Sequence, residues 1–346
     1  MLKSLLIVTF VLSLFIVVAE NQGIGYAVSM VRSQLTVPDG VTPEHIMAGG
    51  ISENGATTLL VVGDIAECGK ETGPERILPV TAHLLGFTPS FDTGMAKADE
   101  TAKLAGDWPT APILALGDLV YENGSPAEFE GCFDTIWGKL KPRILPTPGN
   151  HEYNTPGAFG YYDYWGLQAG PDRRGYYAVH IPGWLILSLN SETDAGPGSK
   201  QSAWLHHELA QSTDSCILAF YHKPAHSLLA RSGSEDAVAL FTDLYRAGAS
   251  LVLNGHNHFY ERTEPLDASG AREPNRGIIG FTIGTGGRVS EPIPERSETA
   301  DAVFGRTGVL KLELRDGSYS WAYVDALSGH FFDKGTQDCN PARWHG

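Results

Sequence analysis

Five short apolar runs, spread between residues 59 and 258, each stop at a polar residue that can bind a metal ion. Leu59-Leu-Val-Val-Gly63 runs into Asp64, Ile113-Leu-Ala-Leu-Gly117 into Asp118, and Ile144-Leu-Pro-Thr-Pro-Gly149 into Asn150-His151-Glu152. Cys216-Ile-Leu-Ala-Phe-Tyr221 ends at His222, and Leu251-Val-Leu-Asn-Gly255 ends at His256-Asn257-His258. Runs of this length that are apolar at every position, rather than at alternate ones, read as strands covered on both faces. Open α/β sheets place their sites at the carboxyl ends of such strands. The chain is therefore expected to be an α/β protein whose fold, not a local loop, assembles one site from five strand ends.

The segments between the runs agree with this. Ser234-Glu235-Asp236 followed by Val238, Phe241, Leu244 and Tyr245 reads as a capped amphipathic helix, because the apolar positions recur every three to four residues. Ser202 to Leu209 and Pro126 to Leu140 read as weaker helices. Val309 to Arg315 and Ser318 to Val324 alternate around Asp316-Gly317, a dipeptide suited to a two-residue hairpin turn. Glu291 to Ala302 reads as a loop.

The N-terminus carries Lys3, an apolar stretch from Leu5 to Val18, and small residues at Val17 and Ala19, the pattern of an export signal over residues 1–19. An uncleaved anchor is the alternative. The expected organisation continues with a polar, Gly-rich leader over 20–56, a catalytic domain over 57–330 and a tail over 331–346, in a secreted or periplasmic protein. Cys68, Cys132, Cys216 and Cys339 would then give one or two disulfides, in a pairing that sequence does not fix. A formal net charge of −15 excludes affinity based on neutralising nucleic-acid phosphates, so no stable nucleic-acid partner is expected, and no membrane contact beyond the signal. Any phosphate chemistry needs a local cation.

A single Gly-Asp after a strand is ordinarily a turn. Two aspartates, an Asn-His pair, a lone His and a His-x-His, each closing its own buried run, instead form a donor set suited to hard or borderline divalent and trivalent ions. With Gly63-Asp64, Gly117-Asp118-Leu-Val-Tyr121, Gly149-Asn150-His151-Glu152, His222 and Gly255-His256-Asn-His258-Phe-Tyr-Glu-Arg262, the sequence resembles the calcineurin-like metallophosphoesterases. More narrowly it is similar to the purple acid phosphatase branch and its bacterial secreted relatives, over roughly Thr57 to Asp325. The resemblance implies a four-layer α/β/β/α sandwich with two mixed β-sheets. It also implies an N-terminal β-sandwich domain in plant members, for which the residues before Thr57 are too few.

Two positions distinguish the branches. Most calcineurin-like enzymes carry Asp-x-His in the first block, and here that His position is Ala66; purple acid phosphatases instead have a tyrosine three residues after the bridging aspartate, and here Tyr121 follows Asp118. A phenol binds as phenolate only beside a strongly charged hard ion, so the exchange favours Fe(III). Carried over residue by residue, the resemblance implies a first ion on Asp64, Asp118, Tyr121 and His258. A second, Fe(II), Zn(II) or Mn(II), would lie on Asp118, Asn150, His222 and His256. Asp118 has the two oxygens needed to bridge.

The implied activity is hydrolysis of phosphate monoesters of small substrates by metal-activated hydroxide, with His151 protonating the departing alkoxide. A phosphodiesterase or nucleotide hydrolase using the same centre is the alternative, and a non-catalytic metal- or phosphate-binding protein a further one. Plant and mammalian purple acid phosphatases carry an additional substrate-contacting His downstream of the His222 position. The segment from Ser227 to Glu235 has none, which leaves His226 as the substrate-binding candidate, with Lys223 and Arg231 as nearby cations. Gly284-Thr-Gly-Gly287 lacks the Lys-Ser/Thr ending of a phosphate-cradling loop. Glu261-Arg262 reads as an ion pair beside the His-x-His loop, and His206-His207 as solvent-facing.

Overall fold

Each of the five apolar runs is a strand in the computed structural model, which describes residues 24–35, 40–52, 55–69, 71–72, 90–91, 97–228, 233–288, 299–303 and 305–340. The expected export signal and Arg231 lie outside these residues. Thirteen principal strands are β1 (Thr57–Val62), β2 (Ile113–Leu116), β3 (Ile144–Thr147), β4 (Tyr177–Ile181), β5 (Trp184–Ser188), β6 (Cys216–Phe220), β7 (Leu251–Asn254), β8 (Tyr260–Thr263), β9 (Ile279–Ile283), β10 (Thr299–Val303), β11 (Gly308–Arg315), β12 (Ser318–Asp325) and β13 (Phe331–Asp338). One sheet runs β13-β12-β11-β1-β2-β3 and the other β10-β8-β9-β7-β6-β5-β4. Both are mixed: β1, β2 and β3 are parallel and so are β9, β7, β6 and β5, whereas β11 to β13, β8, β10 and β4 pair antiparallel.

The unbroken apolar runs follow from the layering. Leu59, Val61, Leu114, Leu116 and Leu145 meet Ile186, Leu218, Phe220, Leu253 and Phe281 in the core between the sheets. The alternate residues Leu60, Val62, Ile113, Ala115 and Ile144 face outward onto α3 (Ala98–Ala105) and the aromatics Phe129, Phe133, Trp137 and Trp165. On the second sheet Leu185, Leu187, Ile217, Ala219 and Val252 pack on α5 (Lys200–Gln211) and α6 (Glu235–Ala247). Since successive strand residues point to opposite faces, a strand covered twice must be apolar at every position. This is the four-layer α/β/β/α arrangement.

The helix expected from Ser234 is α6, with the Ser234 hydroxyl accepting from the Ala237 N–H and Gly248 closing the C-terminus at φ 77°. The helix expected over Pro126 to Leu140 forms with a changing pitch: Pro126–Glu128 starts on a capping box from Ser125, a wide turn spans Phe129–Phe133, an α-helical turn follows over Asp134–Trp137, and tighter turns run over Gly138–Arg143. Gly131 and Gly138 weaken helix propagation there. The Asp316-Gly317 hairpin forms as expected, with Arg315 opposite Ser318.

The expected boundaries shift at both ends. In the leader, α1 (Ile24–Leu35) is tied to α4 (Phe159–Trp165) through Ser29, Asp163 and Arg173, and α2 (Pro43–Ala48) inserts Ile46 and Met47 into the inter-sheet core. At the other end, residues 331–338 form the edge strand β13 rather than a tail. Asp333 on it accepts from Tyr260 (2.6 Å), Arg262 (2.7 Å) and Trp321 (3.1 Å). An edge strand with one exposed face needs few apolar residues, so its sequence looks like a tail. Thr299–Val303, which overlaps the end of the expected loop, pairs with β8 as β10.

All four cysteines are paired, Cys68 with Cys132 and Cys216 with Cys339. No helix among the described residues is long and apolar enough to cross a membrane.

Candidate metal centre

The strand ends converge through unusual backbone. Asp64 (φ 57°), Asp118 (φ 47°) and His256 (φ 71°) all adopt the left-handed conformation, which costs an L-residue about 1–2 kcal/mol. Such strain persists where surrounding contacts over-determine it, and it gathers at functional sites. Here the contacts are the Asp64 N–H to the Gly117 carbonyl (3.1 Å), the Ile65 N–H to the Asp118 carbonyl (3.0 Å) and the Gly255 N–H to the His222 carbonyl (3.0 Å). The glycine at 149 is required by close approach, since a Cβ there would lie 2.3 Å from Asp118 Oδ1.

Two adjoining donor groups result. In the first, the Tyr121 hydroxyl lies 2.8 Å from Asp64 Oδ1 and 3.4 Å from His258 Nε2, which is itself 3.3 Å from Asp64 Oδ1. In the second, His222 Nε2 lies 3.2 Å from Asp118 Oδ2, 3.1 Å from Asn150 Oδ1 and 3.2 Å from His256 Nδ1. Asp64 links the two, its Oδ2 accepting from the His256 N–H at 2.8 Å. All seven sequence-expected ligands are therefore brought together, although Asp64 and His256 stand 192 residues apart.

The electrostatics fit a cation. His222 Nδ1 must donate to the Leu116 carbonyl (2.8 Å), so a neutral His222 aims the Nε2 lone pair at a carboxylate, an amide oxygen and a second imidazole. Lone pairs converging in a buried space repel unless a positive charge lies among them. Without an ion, a proton takes that role. Burial pulls the His222 imidazolium down, but Asp118 and Asp64 outweigh it and hold its pKa up at about 10. Burial and the charge on His222 then drive His256 down to about 4. Burial opposes the charge on Asp118, yet His222 and His151 keep its carboxyl well below the ordinary carboxylate range. Carboxylate, amide and imidazole donors with ligand atoms of Asp118, His222 and His256 within 4.8 Å of one another suit a borderline divalent ion.

The profile of the calcineurin-like phosphoesterase family matches residues 44–260, well over half of the sequence. The chain belongs to that family. Among curated relatives, probable purple acid phosphatase 20 of Arabidopsis thaliana is 27% identical over 287 residues, covering 74% of this chain and 66% of the relative. Purple acid phosphatase 18 of the same plant is 26% identical over 231 residues, covering 60% and 52%. The phosphoesterase chain thus spans between half and two thirds of those plant proteins. Among solved structures, a purple acid phosphatase from yellow lupin seeds superposes with a TM-score of 0.63 at 16% identity, covering 84% of this chain and 54% of that one. GAP50, the anchor in the inner membrane complex of Plasmodium, superposes at 0.56 with 13% identity, covering 83% and 90%. A fold shared with an anchor does not settle an activity, which has to be argued from the site.

Several residues that shape this site were not legible as such in the sequence. Glu152 is fully buried and accepts from the N–H groups of Asp118 (2.9 Å), Leu119 (2.8 Å), Val120 (3.4 Å) and Gly149 (2.7 Å), binding the second and third blocks into one unit. Burial and Asp118 push its carboxyl up to about 8. A sixth strand end, that of β5, supplies Ser191 and Glu192, which hold the Lys223 backbone (3.0 Å) and ammonium (2.6 Å). Arg288 reaches the Tyr121 ring and Glu122 from the far side. Polar residues two and three places past the apolar run that ends at Leu189 were the available signal for Ser191 and Glu192.

His151 stands at the rim with its side chain 21% exposed; its Nδ1 is 2.7 Å from the Glu122 carbonyl and its Nε2 is 3.9 Å from Asp118 Oδ2. The His226 ring packs edge-on against Phe241 and bonds the backbone of Ala268, and its Nε2 is buried without a partner among the described residues. That placement lends no support to a substrate contact. Glu261 and Arg262 do not pair with each other, because neighbours on a strand point to opposite faces. Arg262 pairs with Asp333, while Glu261 accepts from the Ser227 hydroxyl (2.6 Å) and the Leu228 N–H (3.0 Å). Cys68 is occupied in its disulfide.

Proposed function

We propose that this protein is an exported, binuclear metal-dependent phosphatase acting on phosphate monoesters. The observation that carries the reading is the pair of adjoining donor groups, Tyr121 with Asp64 and His258, and Asp118 with Asn150, His222 and His256. In this reading Asp64, Asp118, Tyr121 and His258 hold Fe(III), and Asp118, Asn150, His222 and His256 hold Fe(II), Zn(II) or Mn(II). Such ions, when bound, neutralise the phosphate and bring the pKa of a water toward neutrality.

The chain's own residues supply the rest. His151 Nδ1 donates to a carbonyl that can only accept, so Nε2 is the atom that hands a proton to the departing alkoxide. Glu152 fixes the backbone that carries Asp118 and Gly149, which keeps Asn150 and His151 in register with the bridging carboxylate. Asn150 adds an oxygen without adding charge. With a net charge of −15 on the whole chain, attraction of the phosphate is confined to the centre and suits small substrates. Export rests on Lys3 and the apolar stretch from Leu5 to Val18, and the pairing of all four cysteines supports it, since disulfides persist in oxidising compartments.

Assays of the metal-replete protein on para-nitrophenyl phosphate and its bis-ester, with metal analysis of the same sample, test the reading. The monoester should turn over faster, with two ions per chain and loss of both ions and rate on chelation. Faster turnover of the bis-ester would assign a phosphodiesterase instead. Two bound ions with neither ester hydrolysed would leave a non-catalytic metal-binding protein.

A further inference from the structure

The Gly284-Thr-Gly-Gly287 tract leaves the carboxyl end of β9 and is laid against the loop that carries Asp64. The Gly286 N–H donates to the Gly63 carbonyl (2.8 Å) and the Arg288 N–H to the Asp64 carbonyl (3.1 Å). A Cβ on Gly287 would lie 2.0 Å from the Ile65 carbonyl oxygen, so the tract is glycine-rich because two backbones meet there. This fixes where the next side chain starts. The Arg288 guanidinium lies over the face of the Tyr121 ring, 4.4 Å from its centre, and its Nη1 donates to Glu122 Oε1 at 3.1 Å. Arg288 therefore grips two consecutive residues, while the edge of the His151 ring abuts Tyr121 at 4.5 Å. With its side chain 28% exposed, Arg288 is not there to fill a core.

We propose that Arg288 is a positioning residue for Tyr121: it holds the ring from its face, with Glu122 as counter-ion, and so keeps the phenol oxygen beside Asp64 and His258. The inference rests on the reading of Tyr121 as a ligand to Fe(III). A guanidinium is attracted to the electron density on a ring face. A tyrosine bound to a metal through a deprotonated oxygen has a richer ring than a neutral phenol, so the attraction is stronger in the bound state. A contact biases an equilibrium only through such a difference. The same charge lowers the energy of the electrons that the ring donates to Fe(III) in charge transfer, and so places the absorption band at shorter wavelength than the bare ring would show.

The test compares wild type, Arg288→Met and Arg288→Lys, each loaded with Fe(III) and free of substrate, by visible spectrum and by iron retention against a chelator. In Arg288→Met the band should move to longer wavelength and iron affinity should fall roughly two- to thirty-fold, the range expected for losing one partly desolvated cation–π contact. Arg288→Lys, which keeps the charge and loses the plane, should lie between the two. A folded Arg288→Met protein with an unmoved band and unchanged iron affinity overturns the proposal while leaving Tyr121 as a ligand. Iron-loaded wild type without any band overturns the Tyr121 reading, and the role of Arg288 with it.

Discussion

The Tyr121 hydroxyl donates a 2.8 Å hydrogen bond to Asp64 Oδ1 across 57 residues of chain. Burial and the carboxylates of Asp64 and Asp118 push this phenol well above its ordinary pKa of 10.0, with Arg288 opposing them. In the metal-free protein Tyr121 is accordingly a neutral donor to Asp64, and only a strongly charged ion displaces its proton. Tyr121→Phe keeps the ring, so metal-free stability should fall by no more than about 1–3 kcal/mol for the lost bond to a charged acceptor. Fe(III)-loaded wild type should absorb in the visible and the variant should not. A variant that retains the band would remove Tyr121 from the ligand set.

Asp118 presents its two oxygens to different neighbours, Oδ1 to the His151 N–H at 2.8 Å and Oδ2 to His222 Nε2 at 3.2 Å. Asp118→Asn should lower both total metal content and activity, because in the proposed scheme its negative charge serves both ions. Two ions per chain measured in that variant would sink the bridging assignment.

His151 touches substrate chemistry more than metal binding in the proposed scheme. His151→Ala should lower kcat about 10²–10⁴-fold with metal content near wild type, and the deficit should shrink for esters whose leaving groups need no proton. Equal losses across leaving groups would point to a purely structural histidine.

Glu152 is expected to matter to stability as much as to activity. In Glu152→Gln an amide NH₂ must face one pair of the four backbone N–H groups that the carboxylate now accepts. The expected loss is about 2–5 kcal/mol in urea unfolding measured above pH 8, where the carboxyl is charged, since buried donors would be left without acceptors. A loss under about 0.5 kcal/mol, within the range of an ordinary surface substitution, would show that these bonds do not hold the two blocks together.

Glu261 gives a pH signature away from the metal ligands. Burial raises its pKa from 4.5 to about 7, against the bonds from Ser227 and Leu228. A carboxyl raised on folding binds more protons in the folded state, so its contribution is fully present below pH 4.5 and is lost as pH rises through 7. Relative to Glu261→Gln, wild type should lose roughly 3 kcal/mol of stability across that window. A difference that stays flat with pH would show that Glu261 is charged in the folded protein throughout.

The sequence by itself determined the five strands and the polar residues at their ends. Each run is apolar at nearly every position because both of its faces are covered, and a site at the carboxyl end of a parallel strand needs only the next one to three residues. Asp64, Asp118, Asn150, His222, His256 and His258 were legible as candidates for that reason, and Tyr121 only through the resemblance to purple acid phosphatases, which carry a tyrosine three residues after the bridging aspartate. The helix at Ser234 and the hairpin at Asp316-Gly317 were legible because caps and two-residue turns are local. Tertiary structure decided the rest. Four cysteines allow three full pairings, and only the fold selects Cys68 with Cys132 and Cys216 with Cys339. Phe331–Asp338 is a strand because β12 offers it an edge, which nothing in its own pattern announces. Glu152 receives four N–H groups, and Arg288 meets Glu122 from 166 residues away, by contacts that follow from how the strand ends and loops converge. Local pattern fixes what a segment can become, but the partner of a buried charge is set by whichever distant segment the packed sheets bring against it.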